Sequence, residues 1–192
     1  SQIIDSPTSG WDAVQEVLRH IDGVLYTDLR TGLIELALAR DDYDAESILQ
    51  LDTSNVESVD LTRGSWAETS NDIRLAYLDR DAGFQRRVIA QQNLAHINAS
   101  GGRRTETVSF MALSNAATAN RICSRTLKTL SYPLAQLVIV ANRQARTLRP
   151  GAVFRLDWEP LGIKGLVGRV TNFRAGPLED GRVRFDAVED IF

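Results

Sequence analysis

Leu148-Arg149-Pro150-Gly151-Ala152-Val153-Phe154-Arg155-Leu156 opens the last quarter of this 192-residue chain with a turn that runs into a strand. Pro150 presets one turn dihedral, and Gly151 accepts the positive one that a tight turn requires, so the chain reverses there. Downstream, Gly168-Arg169-Val170-Thr171-Asn172-Phe173 and the ending Val188-Glu189-Asp190-Ile191-Phe192 continue the same grammar. The segments Ala152–Trp158, Leu166–Arg174 and Arg182–Val188 alternate in polarity, with Gly176-Pro177 and Asp180-Gly181 between the last two. Short alternating runs at this spacing predict antiparallel sheet.

Working back from that sheet, Leu134 to Ala141 is almost continuously apolar, as a strand covered on both faces would be. Before it, Ala119, Ile122, Cys123, Thr126, Leu127 and Leu130 form one stripe of a helix from about Asn115 to Leu130. Ser114 is its expected N-cap, and Tyr132-Pro133 stops it. Strands are predicted at Arg104–Leu113 and at 72–79, the latter returning through Asp81-Ala82-Gly83 into 84–90. Gln91 to Ser100 reads equally as a short helix or a loop. At the front, Trp11, Val14, Val17, Leu18 and Ile21 recur at helical spacing behind a Ser9–Asp12 capping pair, and Gly23 is a natural terminator. Val24–Thr27 and Leu33–Ala39 then form a hairpin about Asp28-Leu29-Arg30-Thr31-Gly32, and Ser47–Leu61 holds two short strands. A helix and hairpin alone cannot bury enough surface, so they must pack on something later in the chain.

These elements predict an α+β chain, an antiparallel β-barrel-like subdomain interleaved with a small two-helix α+β subdomain. The α+β part is assigned to 9–62 and 100–142, and the barrel to 63–99 and 143–192. Strands near 72–90 and 152–190 would close that barrel, with 104–141 inserted into it.

The composition bounds the function. Hydrophobic content of 43% and charged content of 24% fit a folded globular protein and argue against disorder. A net charge of −3 provides no bulk attraction to nucleic acid. Cys123 is the sole cysteine, which rules out an intrachain disulfide or a cysteine metal cluster and suits a packing role. No run approaches the ~18 apolar residues of a membrane span. The first residue is not Met and Ser1 to Ser9 is polar, which reads as an internal slice of a longer polypeptide.

Catalytic grammar is sparse. His20 and His96 are the only histidines, they lie on separate elements, and no Gly-x-Ser-x-Gly elbow accompanies them. His20 is expected to be partly exposed in the last turn of its helix, where a positive charge suits the dipole. Asp41, Asp42, Asp44 and Glu46 offer oxygen ligands without the spacing of a Ca²⁺ loop, so they read as a solvated acidic turn. Gly101-Gly102-Arg103-Arg104 lacks the following Lys-Ser/Thr of a phosphate loop and reads as a turn leading into a hairpin. No catalytic, cofactor-binding or metal-ligating residue is assigned. Trp158, which ends a strand beside Glu159-Pro160, together with Trp66 and Phe192, is a candidate interface residue.

Several phrases, in order, resemble the tail-tip and baseplate-hub proteins of tailed phages. They are Trp11 to Gly23 followed by Asp28 to Leu36, then Ser65-Trp66-Ala67-Glu68-Thr69-Ser70-Asn71-Asp72-Ile73 running into Tyr77-Leu78-Asp79-Arg80-Asp81. The helix from Ala116 to Leu127, the Leu148-Arg149-Pro150-Gly151 turn, Arg169-Val170 and Val188 to Phe192 complete the set. One departure is Ala152, where turns of that family usually carry an acid. The resemblance implies a structural, non-enzymatic piece of a larger hub. It also implies a trimeric ring with pseudo-sixfold symmetry that joins the tail tube to spike or fibre proteins. Its partners would be other hub subunits (a homotrimer), tube, spike and fibre proteins, with no nucleic acid and no membrane span. Its place would be the virion tail, and the host cytoplasm during assembly. A carbohydrate- or receptor-binding β module is the alternative, and it would present an aromatic platform such as Trp158 with Tyr132. A hydrolase is the third reading, and it would need a deep pocket lined by carboxylates or His.

Overall fold

The computed structural model describes residues 9–28, 31–40, 42–44, 46–176 and 181–191. Helix α1 (Gly10–Ile21) leads into strands β1 (Gly23–Thr27) and β2 (Ile34–Leu38), then β3 (Leu49–Leu51) and β4 (Val56–Arg63). Next come β5 (Asp72–Asp79), β6 (Gln85–Gln92), α2 (Leu94–Ser100), β7 (Thr105–Ser109) and α3 (Ala116–Leu130). The chain closes with β8 (Ala135–Ala141), β9 (Val153–Trp158), β10 (Ile163–Ala175) and β11 (Val183–Glu189). The class is mixed α+β, as the sequence predicts.

The chain divides into two compact units, one of residues 1–20 with 64–133 and the other of 21–63 with 134–192. These bounds differ from the expected ones because the strands choose other partners. β5 and β6 do not join the strands at 152–190. They form a three-stranded sheet with β7, in the order β6-β5-β7. The interruption of the larger sheet therefore runs from 64 to 133 rather than from 104 to 141.

In the first unit, β5 pairs antiparallel with β6 and parallel with β7. The stretch that read as helix or loop becomes α2, which carries the chain across the start of β5, where Gln92 and Thr105 both partner Asp72, so that β7 runs parallel to β5 on its other side. Gly101-Gly102 accordingly leads into a crossover strand and not a hairpin. Ile73, Leu75 and Tyr77 point to one face of β5 by strand alternation and meet Ala119, Ile122 and Cys123 of α3, with Phe110 and Leu113 closing the cluster. Cys123 is fully buried, and burial pushes its thiol above the ordinary value, so it packs as a small apolar side chain. Asn115, not Ser114, caps α3, its Oδ1 accepting from the Thr118 N–H at 3.0 Å. At α1, Ser9 Oγ accepts from the Asp12 N–H at 3.2 Å and donates to its carboxylate at 2.7 Å, the expected pairing. Asp22, not Gly23, takes the positive φ after the helix. Of the apolar stripe of α1, Leu18 is buried while Trp11, Val14 and Val17 are exposed.

In the second unit, six strands in the order β3-β9-β10-β11-β8-β4 curl into a half-barrel, and β1 and β2 form a separate antiparallel ribbon. All pairings in the half-barrel are antiparallel except β3 with β9. Its core holds Leu51, Val56, Leu137, Ile139, Phe154, Leu156, Val170, Val183 and Phe185. Strand β8 is buried on one face only. Ala135, Leu137, Ile139 and Ala141 point inward, while Gln136 is exposed and Val138 and Val140 are half-buried. Outward valines gave the sequence its two-sided look.

Candidate functional site

Trp66 stands on a single 3-10 turn, Trp66–Glu68, held by a reciprocal capping box. Ser65 Oγ accepts from the Ala67 N–H at 3.1 Å, and Glu68 Oε2 accepts from the Ser65 N–H at 3.0 Å. The Trp66 carbonyl receives the Arg104 guanidinium at 2.8 Å and the Thr69 hydroxyl at 2.7 Å. With its backbone fixed this way, the indole stays 55% exposed. His96 meets it edge-on at 5.4 Å between ring centroids, and Tyr132, 49% exposed, does so at 6.1 Å. Beside the three rings lies a cavity of about 370 Å³, also lined by Asn93, Ala95, Ala99, Ser100 and Ser131.

Polar contacts beneath this cavity are tightly committed. Asn71 is fully buried, its amide donating to Ser100 Oγ at 3.2 Å and to the Gly102 carbonyl at 3.0 Å while its Oδ1 accepts from the Arg104 N–H at 2.7 Å. Asp72 beside it is also fully buried. Burial alone would raise its carboxyl. Hydrogen bonds from Thr105 (2.7 Å) and Gln92 (3.2 Å), with the charges of Arg103 and Arg74, instead hold it below the usual carboxylate range. Arg103 and Arg104 are thus engaged with Asp72 and Trp66 inside the protein.

His96 is 8% exposed. Thr69 has one hydroxyl proton, which goes to the Trp66 carbonyl, so towards His96 Nε2, 3.4 Å away, the hydroxyl only accepts. His96 Nδ1 is buried and has no hydrogen-bond partner among the described residues. His20 is more enclosed than expected, its side chain 10% exposed. It stands edge-on to Phe110 at 5.1 Å, with the Arg19 guanidinium 4.1 Å from the same ring's centroid.

A second constellation lies in the other unit. Arg169 of β10 is nearly buried and grips Asp190, Nη2 to Oδ2 at 3.0 Å. Its Nη1 donates to the Gly151 carbonyl at 3.0 Å and its Nη2 to the Arg40 carbonyl at 2.8 Å. The Pro150-Gly151 turn, Arg169-Val170 and the Val188–Asp190 ending, read separately in the sequence, meet on this one guanidinium.

The candidate interface residues fare differently. Trp66 is exposed at a cavity mouth. Trp158 is half-buried against the half-barrel core, paired across the strands with Ile163. Phe192 lies outside the described residues. Tyr132, expected beside Trp158, forms its aromatic pair with Trp66. His96 was not expected at this site, since nothing in its spacing links it to residues 66 and 132. The Ser65-x-x-Glu68 capping signature could have marked Trp66 as a rigidly presented side chain. Asp41 of the acidic turn lies outside the described residues, and no group of three or more metal-ligating side chains comes together among the described ones. No described helix is long and apolar enough to cross a membrane.

A family model described as "Putative phage tail protein" matches residues 9–173. Among curated proteins none matches the chain. The fold is similar to a chain in the virion of a native gene transfer agent particle, with a TM-score of 0.73 and 17% identity over 98% of this chain and 40% of that one. A tail protein from Neisseria meningitidis MC58 gives 0.62 and 17%, over 97% of this chain and 57% of that one. The 43 kDa tail protein of prophage MuSo2 from Shewanella oneidensis gives 0.56 and 15%, over 98% and 55%. The chain thus spans about half the length of the solved chains it matches.

Proposed function

Since the chain belongs to this phage tail protein family, we propose that it is a structural component of a phage or prophage tail that works through protein–protein contacts and catalyses no reaction. Its finer assignment is a segment of the tail-tip or baseplate hub, which joins the tail tube to spike or fibre proteins. It acts there as part of a homotrimer, in the virion tail after assembly in the host cytoplasm.

The observation that supports an assembly role is apolar surface left open on both units. Trp11, Val14 and Val17 line one face of α1, and Ile34 (76% exposed), Leu36 and Leu38 line one face of β2. Amphipathic elements with uncovered apolar faces and a two-stranded ribbon with open edges are surfaces that neighbouring chains cover. Electron microscopy of tails labelled within this segment of the parent polypeptide tests the reading. Label at the tail tip is expected, whereas label confined to capsids or to free protein overturns it. Sedimentation of the parent protein tests the trimer separately.

A further inference from the structure

We infer that the open groove beside Trp66 and Tyr132 receives α1 of a second copy of this chain, with Trp11 as the anchor seated in it. This deepens the proposed function and rests on the homotrimer put forward there, for which it names the contacting surfaces.

The two surfaces lie on the same unit and match in shape and chemistry. On α1, Leu18 is buried, whereas Trp11, two turns earlier on the same face, is 62% exposed, and Val14 between them is open as well. The helix is pinned through its last turn, where Arg19 donates to the Ser109 carbonyl at 2.8 Å and His20 stands edge-on to Phe110. The front half of its apolar stripe therefore projects into solvent. The groove is the counterpart, a concavity of about 370 Å³ whose walls include the two rings and the methyl groups of Ala95 and Ala99, one turn apart on α2. Rings and methyl groups take an apolar side chain and ask no buried polar partner of it. That volume seats one large aromatic side chain. An enclosed tryptophan buries roughly 150–250 Å², and the half-exposed Trp66 and Tyr132 lose water with it.

Shape, placement and charge select this occupant. Ile34, Leu36 and Leu38, the other open apolar set, form a flat strand face that suits a sheet, whereas Trp11 is an aromatic knob at the start of a helix. Arg104, just before β7, bonds the Trp66 carbonyl beside the groove, while the last turn of α1 bonds Ser109, where β7 ends. Groove and helix attachment thus sit at opposite ends of one strand, and Trp11 is not among the residues lining the groove of its own copy. A knob and a hole at opposite ends of one unit make a head-to-tail contact, which rotation repeats into a ring. A two-fold pair would need a single self-complementary patch instead. Asp12, next to Trp11, is the acid of the first turn of α1, and the Arg104 guanidinium is held at the Trp66 carbonyl, so the approaching surfaces are opposite in sign.

The test uses the parent polypeptide carrying Val14→Cys on the helix and Ala99→Cys in the groove wall, which leave Trp11, Trp66 and Tyr132 in place. A short bifunctional maleimide joins cysteines that lie close together, and Cys123, fully buried with its thiol pushed up, does not compete. Covalent trimers are expected from the double variant, covalent dimers from the two single variants co-expressed, and no new product from either single variant alone. Sedimentation velocity reads the assembly separately. Trp11→Ala and Trp66→Ala should each weaken association about thirtyfold or more, as buried aromatic anchors do when truncated. Both indoles are more than half exposed in the single chain, so its circular dichroism spectrum should not change. A trimer that forms without the 14–99 cross-link and is unmoved by Trp11→Ala overturns this inference and leaves the trimer standing, and so does a cross-link closed within one chain. A ladder of cross-linked chains longer than three upholds the contact and overturns the trimer. A parent protein that sediments as a monomer and gives no cross-link in assembled tails overturns both.

Discussion

Arg169 shows how much of the half-barrel turns on one side chain. It ties strand β10, the residue after β11, the Gly151 turn and the Arg40 carbonyl together, with its partner Asp190 only 2% exposed. Removing one partner of a buried pair leaves the other charge uncompensated, at a cost of about 3–5 kcal/mol. Arg169→Ala should therefore lower stability by that order in chemical denaturation. Arg169→Lys should rescue little, because an ammonium cannot reproduce the fork that reaches Asp190 and two carbonyls at once. Asp72 makes the matching prediction for acid. Its folded-state pKa is lowered, so the unfolded chain binds the proton more tightly. Its stabilising contribution is complete above the unfolded value of about 3.9 and is lost as the pH falls from there through the folded value. Asp72→Asn should flatten that acid limb in pH-dependent unfolding, and at neutral pH it should cost roughly 1–3 kcal/mol for the buried hydrogen bonds it disrupts. An unchanged acid limb would mean that Asp72 is not the group responsible. Neither role was legible in the sequence. Arg169 and Asp190 lie 21 residues apart on separate segments, and no local pattern states that two such segments touch.

Elements were more legible than their pairings. The α3 stripe and the alternation of β5, β9 and β11 follow from side-chain period, which the backbone imposes whatever the partner. Period is silent on which strand lies alongside, so it places β5 with the strands at 152–190, whereas β5 lies between β6 and the parallel β7. It is equally silent on what covers a face, so the stripe of α1 was read correctly although the structure leaves Trp11, Val14 and Val17 open. The Pro150-Gly151 turn was readable because its chemistry is local. Ala152 N–H bonds the Arg149 carbonyl at 2.9 Å, and Gly151 has φ of +86°. Packing above that turn was not readable. A Cβ on Gly151 would lie 2.6 Å from the Ala37 Cβ. Gly168 illustrates the same point within a strand, since it faces Phe154 across the β9–β10 ladder and a Cβ there would lie 2.6 Å from the ring. Gly168→Ala should cost about 1–3 kcal/mol by overpacking. In a double-mutant cycle Phe154→Leu should recover part of that loss, and strict additivity would show that the ring is not the obstacle.

At the scale of the molecule, residues 64–133 are inserted in sequence between two neighbouring strands of the half-barrel. Strand β4 ends at Arg63 and β8 begins at Ala135, and these two residues are partners in the antiparallel ladder. Seventy residues, 64–133, therefore leave and return at one place on the sheet, where a short turn would otherwise join the strands. Glu189 secures that place, accepting from the Ala135 N–H at 3.0 Å and pairing with Arg63 at 2.8 Å. Among the described residues, the half-barrel core is drawn from 49–61 and 137–187. A chain of residues 21–63 joined through an Asn-Gly turn to 135–192, which places the two turn residues directly between the partners Arg63 and Ala135, should thus fold on its own. The turn suits the strands because its twist matches theirs. Closing so short a loop also costs less entropy than closing seventy residues. The expected outcome is a cooperative two-state unfolding curve with a β-sheet circular dichroism spectrum, and loss of cooperativity on further Arg169→Ala substitution. A non-cooperative transition in the unsubstituted shortened chain would show that the inserted unit is part of the half-barrel's stability and not an addition to it.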